Sequence, residues 1–350
     1  MFRLLQRKAR SMSFRFWRRI RLAPGVTLNL SKSSASLSFG PQGAKYTISP
    51  HGNRVTAGIP GTGLFYTVKA PGSGRSSGTT PAAPSVQSKL DLGFFKRLVT
   101  PASERAFVDG LRALHEGDED QALQELESAT DTADAAWMAG MLRLKREDLA
   151  AAERHLAAAL AGGDTLGRLF ATYDLDTVVS LPVTPEITAH VRPRPRGTRL
   201  ALAELHQLQG DPAQARALLN HVIEEDRFDV VAIAALAELK LDADPVPRED
   251  ADGIVRMTAV IENETPVHAA ALLYKGRALR TLGLNDAAVK TFTKAYRRKK
   301  DRPPELLRQI RYDRALAYEA TGRKSRARQE LEGIYAEAPG FADVAARLGL

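Results

Sequence analysis

The chain has 350 residues, 44% of them hydrophobic, 26% charged and only 6% aromatic, a globular composition too long for one ordinary compact core. It has no cysteine, which excludes disulfides, thiolate metal sites and a cysteine nucleophile, and no run of about 18 apolar residues able to span a membrane. The net charge of +9 is unevenly spread. Fourteen Lys and Arg and no acid precede Asp91, while the remainder carries 36 basic and 41 acidic residues. Such asymmetry suggests that the N-terminal part faces something anionic. Residues 1–22 are arginine-rich but have no apolar core segment, so no secretory signal is expected.

From Phe14 the hydrophobic period is two. Phe14 and Phe16, Val26, Leu28 and Leu30, Leu37 and Phe39 alternate with polar residues. Tyr46 and Ile48, Val55 and Ala57, then Leu64, Tyr66 and Val68 continue the alternation. Pro24-Gly25, Gly40-Pro41, Pro50-His51-Gly52 and Pro60-Gly61 interrupt it, which predicts an antiparallel meander of five or six strands. Gly61-Thr62-Gly63 lacks the Lys-Ser/Thr of a phosphate loop and reads as a turn, and His51 reads as an exposed turn residue. Arg15, Arg18, Arg19 and Arg21 form the densest basic run, with Trp17 among them. Two readings of this run stand: a charged strand that blunts edge pairing, or a set of anionic-surface contacts, to nucleic acid or to a membrane surface.

The stretch FRFWRRIRLAPGVTLNLSKSSASLSFGPQGAKYTIS, followed by NRVTAGIPGTGLFYTVK, resembles the bacterial domain of unknown function 4236, over roughly residues 12–69. The resemblance implies a small β module with no established activity. The expected β module is residues 1–69, and the resemblance implies a start at Met12-Ser13, which leaves residues 1–11 outside the part that resembles the family.

Residues 70–88 are Gly, Pro, Ser and Thr without hydrophobic periodicity, a flexible linker spanning about 24 Å. Residues 89–100 carry a short apolar stripe, Leu90, Leu92, Phe94, Phe95, Leu98 and Val99, and predict an entry helix. It covers the open end of a helical array, or, in the sharper reading, touches a membrane surface.

Between Ala106 and Ala159 one pattern is written twice. Gly110, Ala122, Leu126 and Ala129 recur thirty residues later as Gly140, Ala152, Leu156 and Ala159. Two small residues twelve apart, with a large apolar one four further on, predict two closely packed antiparallel helices that must stack on neighbours to bury their faces. The pairing returns as Ala203 with Ala215, Gly276 with Ala288, and Ala315 with Ala327, followed by Leu219, Phe292 and Leu331. Gly117, Gly210, Gly283 and Gly322 mark the turns, with Glu147 the exception.

This pattern is similar to the tetratricopeptide repeat over most of residues 103–338, and implies an all-α solenoid at 101–350. FDVVAIAALAELKL and ADGIVRMTAVIE supply a further helix pair around an irregular DADPVP turn. An insertion at about 164–197 begins helically at Leu166–Tyr173 and turns proline-rich. Its Pro182-x-x-Pro185 and Arg192–Arg196 stretches read as rigid connectors rather than as ligands for aromatic-groove domains, and Val178, Val179 and Leu181 require burial against the array. The run Arg297, Arg298, Lys299, Lys300 and Arg302 reads as a solvated helix end.

No catalytic or metal-binding constellation emerges. The histidines are scattered, no HExxH occurs, and no catalytic residue, metal or cofactor is assigned. Some relatives of the repeat clamp a partner's C-terminal carboxylate with Lys and Asn. The matching positions here are Phe107, Leu111, Asp134 and Met138, which departs from that pattern. The expected architecture is α+β and multidomain. The expected function is a non-enzymatic protein–protein interaction scaffold, cytoplasmic or peripheral to a membrane, whose solenoid groove holds a protein segment and whose basic β module docks on an anionic surface. The alternatives are nucleic-acid binding through the β module, and an enzyme site in the insertion at Tyr173 to His190.

Overall fold

The computed structural model describes the backbone of six strands between residues 17 and 69, Leu90, and residues 94–350 apart from 176. The protein is α+β and multidomain: an antiparallel β meander precedes a tetratricopeptide-like helical solenoid.

The strands are β1 (Trp17–Ala23), β2 (Val26–Ser31), β3 (Ser34–Phe39), β4 (Ala44–Ile48), β5 (Arg54–Gly58) and β6 (Phe65–Lys69). Each pairs antiparallel with the next, in the order β6-β5-β4-β3-β2-β1. In-phase pairs such as Leu28 with Leu37 and Tyr46 with Val55 keep the apolar set of each strand in register with its neighbour's. Arg15, the loops and the linker at 70–88 lie outside the described residues, as do the side chains of the six strands.

Helix α1 (Phe94–Val99) precedes the repeats. Leu90 is buried, but Leu98 and Val99 are 65% and 81% exposed, so these two residues of the stripe cover nothing. Arg105 and Arg112 tie this segment to the array by donating to the carbonyls of Arg97 and Leu90, and Arg97 pairs with Asp109.

The helical part divides into two compact units, one reaching Leu181 and including His190–Gln209, the other Pro182–Ala189 with Gly210–Leu350. The first holds the hairpins α2 (Ala102–Glu116) with α3 (Glu119–Ser128) and α4 (Ala133–Lys145) with α5 (Leu149–Ala161). Asp118, Thr132 and Asp148 start three of these helices by accepting from the backbone N–H three residues on. The hairpins close because Gly110 and Gly140 carry no side chain. A Cβ at either would lie 2.7 Å from Cγ of Leu126 or Leu156. Gly117 ends α2 in the left-handed region, and Glu147 takes the same conformation at φ 62° after α4, a position that favours glycine.

The insertion departs from the connector expected of it. After a 3-10 turn (Gly163–Thr165) and the short α6 (Arg168–Thr172), it forms the hairpin β7 (Val178–Thr184) and β8 (Ile187–Val191). Pro182 sits inside β7, and Pro185-Glu186 is the whole turn. Alternation decides the matter: Val179, Leu181 and Val183, then Ile187, Ala189 and Val191, are buried. β7 also pairs antiparallel with β1, Val179 opposite Ile20. Pro195, in the Arg/Pro run after β8, is the first residue of α7 (Pro195–Gln209), where proline's missing N–H costs no hydrogen bond.

The second unit contains α8 (Pro212–Glu225), α9 (Val230–Leu241), α10 (Arg248–Met257), α11 (Pro266–Thr281), α12 (Asn285–Tyr296), α13 (Pro304–Ala320), α14 (Lys324–Glu337) and α15 (Val344–Leu348). Helices α9 and α10 are the pair read from FDVVAIAALAELKL and ADGIVRMTAVIE. Gly276 packs against the ring of Phe292 as Gly110 does against Leu126, and Leu331 is buried in the last pair with Ala315.

Candidate functional site

Within α2, Glu104, Phe107 and Leu111 follow i, i+3, i+7 spacing and share one face. Thirty residues on, α4 repeats the set as Asp134, Trp137 and Met141. An acid, an aromatic and an apolar residue are thus presented by two successive hairpins. Phe107, Leu111, Asp134, Trp137 and Met141 are all buried.

The insertion covers this face. Phe170 of α6 makes edge contacts with both aromatics, its ring centroid 5.1 Å from Phe107 and 6.0 Å from Trp137. Asp134 accepts from the backbone N–H of Gly167, Leu169 and Phe170, the last at 3.3 Å. These are the unpaired donors at the start of α6, and a carboxylate is the partner they favour. Glu104 accepts from the Tyr173 hydroxyl at 2.6 Å. Both repeated acids therefore bind one seven-residue stretch, Gly167 to Tyr173.

Burial pushes the Asp134 carboxyl above the usual carboxylate range, against the pull of its three backbone donors. The Tyr173 phenol is raised by burial and by Glu104. The Trp137 indole N–H is one of nine buried side-chain polar atoms without a hydrogen-bond partner among the described residues.

In the second unit the corresponding helices carry charge. The Tyr274 hydroxyl, on fully buried Tyr274, donates to Glu186 of the β7–β8 turn at 2.6 Å. Asp313 on α13 accepts from Arg277 at 2.9 Å, Gln309 at 2.9 Å and Arg280 at 3.2 Å. Burial pulls the Arg277 guanidinium down, but Asp313 and Glu186 outweigh it, so its pKa is raised. Arg280 is lowered by burial. Arg302 is not the solvated cation expected of its run. It is buried and donates to Asn263, whose amide caps the last carbonyls of α12. Arg297, Arg298, Lys299 and Lys300 remain exposed.

The repeat-marking residues fall at helix contacts: Ala122, Ala152, Ala203, Ala215, Ala288, Ala315 and Ala327 are buried, and Gly110, Gly140 and Gly276 face the large residue of the following helix. The candidate anionic-surface residues Trp17, Arg18, Arg19 and Arg21 lie on β1, with side chains outside the described residues. Of the insertion's candidate enzyme residues, Tyr173 donates its hydroxyl to Glu104 and His190 is exposed on β8. Among the described residues no group of three or more His, Asp or Glu is placed to hold a metal ion, and no helix is long and apolar enough to cross a membrane. The acid–aromatic–apolar stripe was missed as a site, although its thirty-residue recurrence is visible in the sequence.

Residues 14–67 match a family model described as "Protein of unknown function (DUF4236)". No curated protein matches the chain. Among solved structures, the chain is similar to the assembly chaperone of RpL4 (Acl4), with 13% identity over 71% of this chain and 95% of that one and a TM-score of 0.44. It is also similar to BtubC (BKLC) from P. vanneervenii, with 16% identity over 69% and 94% and a TM-score of 0.43. YrrB, described as a TPR protein with an unusual peptide-binding site, aligns with 12% identity over 65% and 97% and a TM-score of 0.42.

Proposed function

We propose that the chain is a protein–protein interaction scaffold whose helical array binds a segment of a partner, while the basic β module docks on an anionic surface. The observation that carries this reading is the stripe repeated on α2 and α4. Two successive hairpins offer the same chemistry to a polypeptide, and a polypeptide stretch already lies across it. A cytoplasmic setting, peripheral to the membrane where the module meets anionic lipid, goes with this reading. Full-length protein should recover a specific partner that a denatured control does not. Recovery of nothing above that control overturns the reading.

A second reading, nucleic-acid binding through the β module, is favoured by the fourteen cations without an acid before Asp91. Affinity should then fall steeply with salt, through counterion release. Titration of the full chain against a polynucleotide and against anionic vesicles separates the two surfaces, and binding to vesicles alone eliminates nucleic acid.

A further inference from the structure

The stripe on α2 and α4 is covered by a stretch of the same chain that is built like a bound peptide. It contacts the face through one aromatic side chain, one phenol and three backbone N–H groups. Two of the three N–H groups belong to the first turn of a five-residue helix and the third to the residue before it, and so short a helix does not hold its own conformation in water. Gly167 precedes it at φ 94° and Asp174 follows at φ 51°, so left-handed residues bracket the stretch on both sides. One feature makes the fit incomplete: the Trp137 N–H is buried without an acceptor among the described residues. A core built only for stability would place an acceptor there.

We propose that residues 163–175 are a tethered ligand of the α2–α4 face, and that the partner of this face is a peptide with an aromatic side chain in the first turn of a helix, which displaces them. Asp134 would cap the first turn of the incoming helix, Phe107 and Trp137 would hold its aromatic ring edge-on, and Glu104 would take a hydroxyl or other donor one turn further on. A peptide that also presents an acceptor to the Trp137 N–H would have an advantage the resident stretch lacks. This rests on the scaffold reading above but is tested without any cellular partner, so each can fail alone.

Two measurements on the full chain decide it. First, by hydrogen exchange, the amides of Gly167, Leu169 and Phe170 should exchange at least about ten-fold faster than those of Gly140 and Leu156, because the stretch opens while the hairpins stay closed. Second, a fluorescent peptide of residues 163–175 should bind a Phe170→Ala chain at least about ten-fold more tightly than the unaltered chain, whose site is occupied in cis. The same peptide with alanine for its phenylalanine should not bind. Exchange of those amides at the rate of Gly140, or failure of the peptide to bind the folded variant, overturns the proposal and makes the stretch a fixed part of the core. Should the variant not fold, by far-ultraviolet circular dichroism, the exchange rates of the unaltered chain decide alone.

Discussion

The hairpins at 102–161 and those at 266–337 are closed by the same device and differ in what else they present. In both, a small residue on the first helix admits a large apolar residue from the second: Gly110 and Gly140 with Leu126 and Leu156, Gly276 with Phe292. Away from that contact, the early pair shows Phe107, Leu111, Trp137 and Met141, while the late pair shows Tyr274, Arg277, Arg280 and Asp313. The last hairpin goes further, with Arg311 and Arg314 both paired to Glu330. The closing contact and the rest of the buried chemistry occupy different positions of the helix, so one can vary while the other is kept.

The comparison breaks if removing the large residue leaves a hairpin intact. Phe292→Ala should cost about 3–5 kcal/mol in denaturant titration, and Leu156→Ala about 2–5 kcal/mol, since both are fully buried. A loss below about 1 kcal/mol for either would show that the small–large contact does not close the pair.

Next in size is the charged face. Asp313→Ala leaves Arg277 and Arg280 without their shared acceptor and should cost about 3 kcal/mol. Measured in a cycle with Arg280→Ala, the two losses should not add. Additivity would mean that the cluster does not act as a unit.

Gly140→Ala sharpens the contrast with an ordinary helix. A glycine-to-alanine change within a helix commonly gains about 1 kcal/mol, but here the new methyl meets Leu156 and should instead cost about 1–3 kcal/mol. A rise in stability would show that Leu156 can move aside.

The smallest effect is a slope with pH. The Asp134 carboxyl is raised in the folded state, so its contribution is complete below the unfolded value of 3.8 and is lost as pH rises through the folded value. The Tm of Asp134→Asn relative to the unaltered protein should therefore increase from acid toward neutral pH. Glu127, lowered by its hydrogen bonds from Arg143, has the opposite sign: its contribution is present above 4.5 and lost as pH falls. Glu127→Gln should accordingly lose relative stability as pH rises toward 4.5, the sign opposite to that of Asp134→Asn. Parallel slopes for the two variants would contradict both assignments.

Much of the helical part was legible because its signal is local. Small and large residues at fixed spacing mark Gly110, Gly140 and Gly276, each facing the large residue of the following helix. The β7–β8 hairpin was obscured by its own prolines: Pro185-Glu186 is a two-residue turn without the glycine or asparagine that usually marks one, and Pro182 interrupts a strand pattern. The stripe was harder still. Glu104 and Asp134 look like ordinary surface acids until the residues that bind them, sixty-nine and thirty-three positions away, are placed beside them. Arg302 misled for the same reason, its acceptor Asn263 lying thirty-nine residues upstream.

The position of the insertion in the chain has a consequence for any competitor. Residues 163–175 are held between α5 and α7, so they meet the α2–α4 face at a local concentration set by geometry, on the order of millimolar for a short tether. Dilution, expression level and turnover leave that concentration unchanged. A free peptide with the same contacts would have to approach it to displace half of the resident stretch, whereas one that also satisfied the Trp137 N–H could succeed at a fraction of it. The covering segment would thus act as a threshold, admitting a ligand by quality of fit rather than by abundance.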